Sequence, residues 1–135
     1  MSGDEQNLDW ARASLVLQAR QAGIMDSQIL KVLESVPREV FVPAEYIEHA
    51  YRDVSIPLDH HQSMISPIKL AKMLAALDLS ETPTKVLEIG TGSGYATALI
   101  SKMCKRVFTV ERDRLLLRGA TAHWKSLGIS NIVEA

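Results

Sequence analysis

The segment Glu88-Ile89-Gly90-Thr91-Gly92-Ser93-Gly94-Tyr95 carries the densest chemistry in the chain. Glycine at 90 and 92 lets the backbone pass close beneath a ligand with no side chain in the way. A helix opening after such a loop points its free amides at the same object. In dinucleotide binders that object is a pyrophosphate, and the third glycine falls three positions after the second. Here it falls two after, and a carboxylate, Glu88, stands two before the first glycine. A negative side chain beside the loop disfavours a pyrophosphate. It suits a cation, such as the amino group of the methionine part of S-adenosylmethionine.

A second acid, Glu111, closes the apolar run Arg106 to Val110 and is followed by Arg112. A carboxylate there can accept both hydroxyls of a ribose that carries no 2′-phosphate. Each piece alone has a plain reading, as a flexible turn or a solvated strand end. In this order they specify a nucleoside site, and a nicotinamide-dependent oxidoreductase is the disfavoured rival. His49, Asp59, His60 and His61 raise the question of a metal. Adjacent histidines diverge and no cysteine or glutamate has supporting spacing, so a surface loop without metal is expected.

The elements that must position these residues follow from periodicity. Strand, helix, strand, helix, strand is the expected order from Lys85 onward. The strands fall at Val86–Ile89, Arg106–Val110 and Asn131–Val133, with helices over Tyr95–Met103 and through Leu116, Ala120, Trp124 and Leu127. That is the grammar of a parallel sheet, the first half of a Rossmann-like α/β fold. The upstream half is helical. A first helix shows Trp10, Ala13 and Leu17 on one face before Gly23, with both Trp10 and Trp124 expected in the core. A second starts after Asp26 and stops at Pro37, and Ala44 to Tyr51 makes a further turn or two. Asp53 to Ser66 is irregular. Ser66-Pro67 then reads as N-cap and first helical residue of a helix with Leu70, Met73, Leu74 and Leu77 on one face. The polar stretch Ser80 to Thr84 divides residues 1–80, the substrate side, from 81–135, the cofactor side.

The chain of 135 residues has 15 basic and 16 acidic side chains and a net charge of -1. That balance gives no nucleic-acid footprint and no membrane patch, and Lys102, Lys105 and Arg106 read as a solvated helix end. The single cysteine, Cys104, fits a reducing compartment, and the acidic start is unlike a secretory signal. A cytoplasmic protein is expected.

Val86 to Tyr95 (V-L-E-I-G-T-G-S-G-Y) and Val107 to Arg112 (V-F-T-V-E-R) resemble the first two motifs of protein L-isoaspartyl O-methyltransferases. The upstream stretches V-P-R-E-V-F-V-P (Val36 to Pro43) and A-Y-R-D-V-S-I-P (Ala50 to Pro57) are similar to segments more particular to that family. The resemblance runs from about Leu15 to Val133. It implies transfer of a methyl group from S-adenosylmethionine to the free carboxylate of an isoaspartyl residue in a damaged protein, with S-adenosylhomocysteine as product. Glu88, Gly90, Thr91, Gly92, Ser93, Gly94, Tyr95, Glu111 and Arg112 would then hold the cofactor, and Gln62, Ser63 and Met64 would lie toward the substrate. Catalysis of this kind rests on in-line positioning and exclusion of water, because nucleophile and leaving group are already activated.

Two departures stand out. The family loop reads G-Q-T-I-S-x-P, and here Ser63 replaces threonine while Ile65 occupies the serine position. Isoleucine cannot donate a hydrogen bond, so Ser63 and Ser66 are the remaining candidates for a catalytic hydroxyl. Two loop glycines are replaced by Asp59 and His61. A catalytically degenerate binding or interaction module is therefore the alternative. The family fold also continues beyond the length of this chain. The expectation is a fragment, inactive alone, whose first strand offers a bare edge for self-association.

Overall fold

The computed structural model describes residues 3–79, 81 and 83–135, with side chains from residue 7 onward. Helix α1 (Gly3–Gln21) ends at Gly23, whose φ of 101° lets the chain turn back. Helix α2 (Ser27–Ser35) starts where expected, because the Asp26 carboxylate accepts the amides of Gln28 and Ile29. It buries Ile29, Leu30, Val32 and Leu33, each worth about 1.5–3 kcal/mol of transfer free energy. Two 3₁₀ turns, Arg38–Phe41 and Ala44–His49, lead into a small hairpin of β1 (Ile56–Pro57) and β2 (Ser63–Met64). Most of Asp53 to Ser66 is irregular, as anticipated, but this hairpin was not foreseen.

Helix α3 (Pro67–Leu77) carries proline in its first turn. Ser66 occupies the N-cap position, but its side chain makes no capping bond. Asp53 does that work from across the loop, its Oδ1 accepting the Ile68 amide at 3.0 Å. After the linker, of which Ser80 and Thr82 lie outside the described residues, come β3 (Lys85–Ile89), α4 (Tyr95–Ser101), β4 (Arg106–Val110), α5 (Arg114–Ser126) and β5 (Ile132–Glu134). The three strands form a parallel sheet in the order β3-β4-β5, with Val86 beside Val107 and Glu88 beside Thr109. This is the expected partial Rossmann-like arrangement.

One cluster of buried apolar side chains joins Leu15 and Leu33 through Phe41 and Ile56 to Tyr95, Val107 and Trp124. Two predicted helix faces need correction. Trp10 is 78% exposed and Leu17 lies outward, whereas Leu15 and Ala19 face the core. On α3, Met73 and Leu77 are exposed and Ile68 and Ala71 replace them inside. In both helices apolar residues surround more than one face, so periodicity alone does not choose which one packs. On β3, Leu87 and Ile89 are 63% and 76% exposed, because this strand is paired on one side and covered on one face.

Candidate functional site

The loop between β3 and α4 turns on three glycines in the left-handed region, with φ of 93° at Gly90, 56° at Gly92 and 89° at Gly94. Their roles differ. A Cβ on Gly90 would meet nothing within 4 Å, so its bare face looks into open space. A Cβ on Gly94 would lie 2.8 Å from both Ala120 Cβ and Trp124 Nε1. The third glycine therefore serves the close approach of α5, and the Trp124 indole donates to the Gly94 carbonyl at 2.9 Å.

Both acids picked out in the sequence hold the loop's surroundings together. Thr97 on α4 and Thr109 on β4 donate their hydroxyls to Glu88 Oε1, the second at 2.7 Å. Thr109 in turn touches the Thr91 hydroxyl at 2.6 Å. Burial raises the Glu88 carboxyl above its ordinary range, the two hydroxyls oppose that rise, and the nearby Glu111 charge adds to it. Glu111 Oε1 accepts the Gly92 amide and Oε2 accepts the Asp113 amide, both at 2.9 Å.

A cavity of about 150 Å³ opens against this loop. Glu88, Gly90, Thr91, Gly92, Ser93 and Tyr95 line one side, and Ser63, Met64 and Ile65 the other. Glu111, Arg112, Gly94, Gln62 and Ser66 are not on its wall. Arg112 and Gln62 are exposed, and Gly94 is buried behind the loop. Ile65 shares the wall opposite the glycines with Ser63, while Ser66 is not part of it. A larger cavity of about 850 Å³ lies between α1 and the second 3₁₀ turn, around Leu8, Ile47 and Tyr51, and shares no lining residue with the first. No group of three or more metal-binding side chains occurs among the described residues.

Sequence reasoning gave no role to Arg38, which also lines the cavity beside the loop. It is fully buried, donates from Nη2 to the Ile65 carbonyl at 3.2 Å, and lies 4.6 Å from the Tyr95 ring centre. Its Nε and Nη1 have no hydrogen-bond partner among the described residues. The signal was in the motif itself. Val36–Pro43 and Ala50–Pro57 meet in space, where the Tyr51 hydroxyl donates to Glu39 and accepts from Arg12 Nε and the Arg38 amide. Burial and the Glu39 contact raise the Tyr51 phenol well above its usual value. Phe41, from the same motif, packs on Tyr95 with ring centres 5.6 Å apart. The upstream motifs thus contribute Arg38 to the cavity and back Tyr95 with Phe41.

A parallel sheet with a glycine loop opening a helix, and acids near the ends of two strands, defines part of a Rossmann-like α/β domain. Residues 11–134 match the sequence model of the family Protein-L-isoaspartate(D-aspartate) O-methyltransferase. The chain belongs to that family. It is 41% identical over 119 residues to the protein-L-isoaspartate O-methyltransferase of Rhodospirillum rubrum, covering 88% of this chain and 54% of the relative. Against the enzyme of the same description from Dictyoglomus turgidum it is 41% identical over 129 residues, covering 96% and 58%. The chain thus spans about half the length of the curated relatives it matches. A solved protein-L-isoaspartate O-methyltransferase superposes with a TM-score of 0.82 at 27% identity, over 92% of this chain and 41% of that one. The fold is also shared with a Plasmodium falciparum protein solved with S-adenosyl-L-homocysteine, at TM-score 0.78 and 22% identity over 90% of this chain and 61% of that one.

Proposed function

We propose that this chain supplies the cofactor-binding part of a protein carboxyl O-methyltransferase acting on isoaspartyl residues of damaged proteins. The observation that carries the reading is the cavity between the glycine loop and the β1–β2 hairpin, with Glu88 on its wall. S-adenosylmethionine would supply an electrophilic methyl group there. The residues fit it: the open face of Gly90 leaves room, and Glu88, held through Oε1 by two hydroxyls and lining the cavity, would take an ammonium group. Glu111, which tethers the loop through the Gly92 amide, would receive the ribose. Residues 1–80 would furnish the substrate side through Ser63 and Met64, and residues 81–135 the cofactor side. The cavity is smaller than the roughly 300 Å³ that drug-sized ligands start from, so these residues form part of a pocket.

The reading is tested on the full-length gene product, by titration with S-adenosylhomocysteine and by methyl release on an isoaspartyl peptide. Absence of both saturable binding and turnover there would refute it. One observation favours a second reading, a binding module with degenerate chemistry: Ile65 lines the cavity where the family places a serine. A large rate gain from Ile65→Ser in the full-length product would establish that alternative.

The buried lone thiol of Cys104 supports a reducing, cytoplasmic setting, and no helix among the described residues is long and apolar enough to cross a membrane. The exposed Leu87 and Ile89 beside the unpaired side of β3 support self-association, which sedimentation at increasing concentration would detect.

A further inference from the structure

The β1–β2 hairpin lies over the glycine loop. Leu58 Cδ1 comes within 3.9 Å of where a Cβ on Gly92 would stand, and Ser63 to Ile65 wall the cavity beneath. The two strands pair over only two residues each, so ladder bonds alone hold the hairpin weakly. Its tip is fastened elsewhere. His60 Nδ1 meets Asp113 Oδ2, while Oδ1 of the same carboxylate accepts the amides of Leu115 and Leu116 that begin α5. The Asp113 amide donates to Glu111 Oε2, and Glu111 Oε1 holds Gly92. A single run of contacts therefore joins hairpin tip, helix start, strand end and glycine loop. His60 and His61 both sit in the left-handed region, at φ of 59° and 61°, which non-glycine residues enter only against a steric cost.

We propose that His60 is a positioning residue whose contact with Asp113 is a titratable latch, closing the 56–64 hairpin over the glycine loop. The latch itself stands on geometry; only the identity of what it covers rests on the function proposed above. Asp113 faces His60 from α5, with Asp59 and His61 beside it on the hairpin and Glu111, Arg112 and Arg114 flanking Asp113. The Asp113 contact, and then the Asp59 charge, raise the imidazole above its ordinary value. His60 and the amides of α5 hold the Asp113 carboxyl below its own. The sign follows: the ion pair is present between those two limits and is lost as pH rises through the raised histidine value.

Amide exchange at Leu58 and Gln62, which are bonded within the hairpin, reads the latch directly when expressed as protection over the intrinsic rate. Wild-type protection should fall roughly two- to fivefold between about pH 6 and about pH 9, the scale of one exposed ion pair. His60→Gln keeps a donor that does not titrate and should be flat with pH. His60→Ala should be low throughout, with the Ile24 and Val36 amides, bonded at the ends of α1 and α2, unchanged as the internal control. Equal protection in wild type and His60→Ala at the lower pH, or the same pH dependence in both, would overturn the latch. S-adenosylhomocysteine should leave His60→Ala faster by the same factor. If it binds no variant, the functional reading is at fault and the exchange data still decide the latch.

Discussion

Glu111 Oε1 accepts the amide of Gly92 at 2.9 Å, so the acid at the end of β4 holds the loop at the end of β3. Its other oxygen takes the Asp113 amide, which makes one carboxylate both a loop tether and the proposed ribose ligand. Glu111→Ala should abolish S-adenosylhomocysteine binding in a calorimetric titration. It should also lower the melting temperature, since each charge-assisted bond contributes about 1.5–3 kcal/mol. Glu111→Gln can still accept from Gly92, and should lose affinity with a smaller loss of stability.

Glu88 should show the opposite sign in stability. Its carboxyl is raised by burial, so the folded state holds the proton more tightly than the unfolded chain does. Stability from this group is present at low pH and declines as pH rises through the raised value. Glu88→Gln should therefore melt higher than wild type at neutral pH, while binding the aminoacyl end of the cofactor far less well. Thermal melts across pH, paired with ligand titration, check both halves. A variant that melts lower at neutral pH contradicts the account.

Gly94 and Gly90 separate packing from binding. Gly94→Ala drives a methyl group to 2.8 Å from Ala120 and Trp124 at a φ of 89°, and should cost about 3 kcal/mol or more. Gly90→Ala meets no atom within 4 Å and carries only the left-handed penalty, about 1–2 kcal/mol. Urea denaturation should rank the two in that order. Ligand binding should nonetheless be lost in Gly90→Ala, because the new methyl group enters the space beside the cavity.

Arg38 is buried, and two of its donor nitrogens have no partner among the described residues, a costly state for a cation. Arg38→Met retains the packing on Tyr95 and removes the charge. It should change stability by no more than about 1 kcal/mol, or raise it. Arg38→Ala leaves a cavity and should cost about 3 kcal/mol. Denaturation midpoints of the two variants distinguish packing from charge, and a large loss in both would show that the Ile65 bond dominates.

These contrasts mark how far the sequence could be read. The glycine loop, the parallel strands and the helix starts were legible because their causes are local: glycines at 90 to 94, Asp26 as a cap, Pro67 after Ser66. The cap on α3 was not, because Asp53 reaches Ile68 across a turn whose path no spacing reveals. The outward turn of Trp10 was likewise hidden, since α1 offers apolar residues on several sides and only its neighbours select Leu15 and Ala19. The role of Arg38 is not legible in its motif, because it depends on Tyr95 and Ile65, remote in the chain.

The bond from the Trp124 indole to the Gly94 carbonyl has an optical consequence. The chain has two tryptophans, and they occupy opposite environments: Trp124 is 4% exposed and Trp10 is 78% exposed. Emission from Trp124 should therefore lie to the blue of Trp10 and resist an aqueous quencher. In Trp10→Phe the remaining fluorophore is wired to the glycine loop through its own N–H. Any ligand that shifts the loop should then be visible as a change in colour, with no label attached.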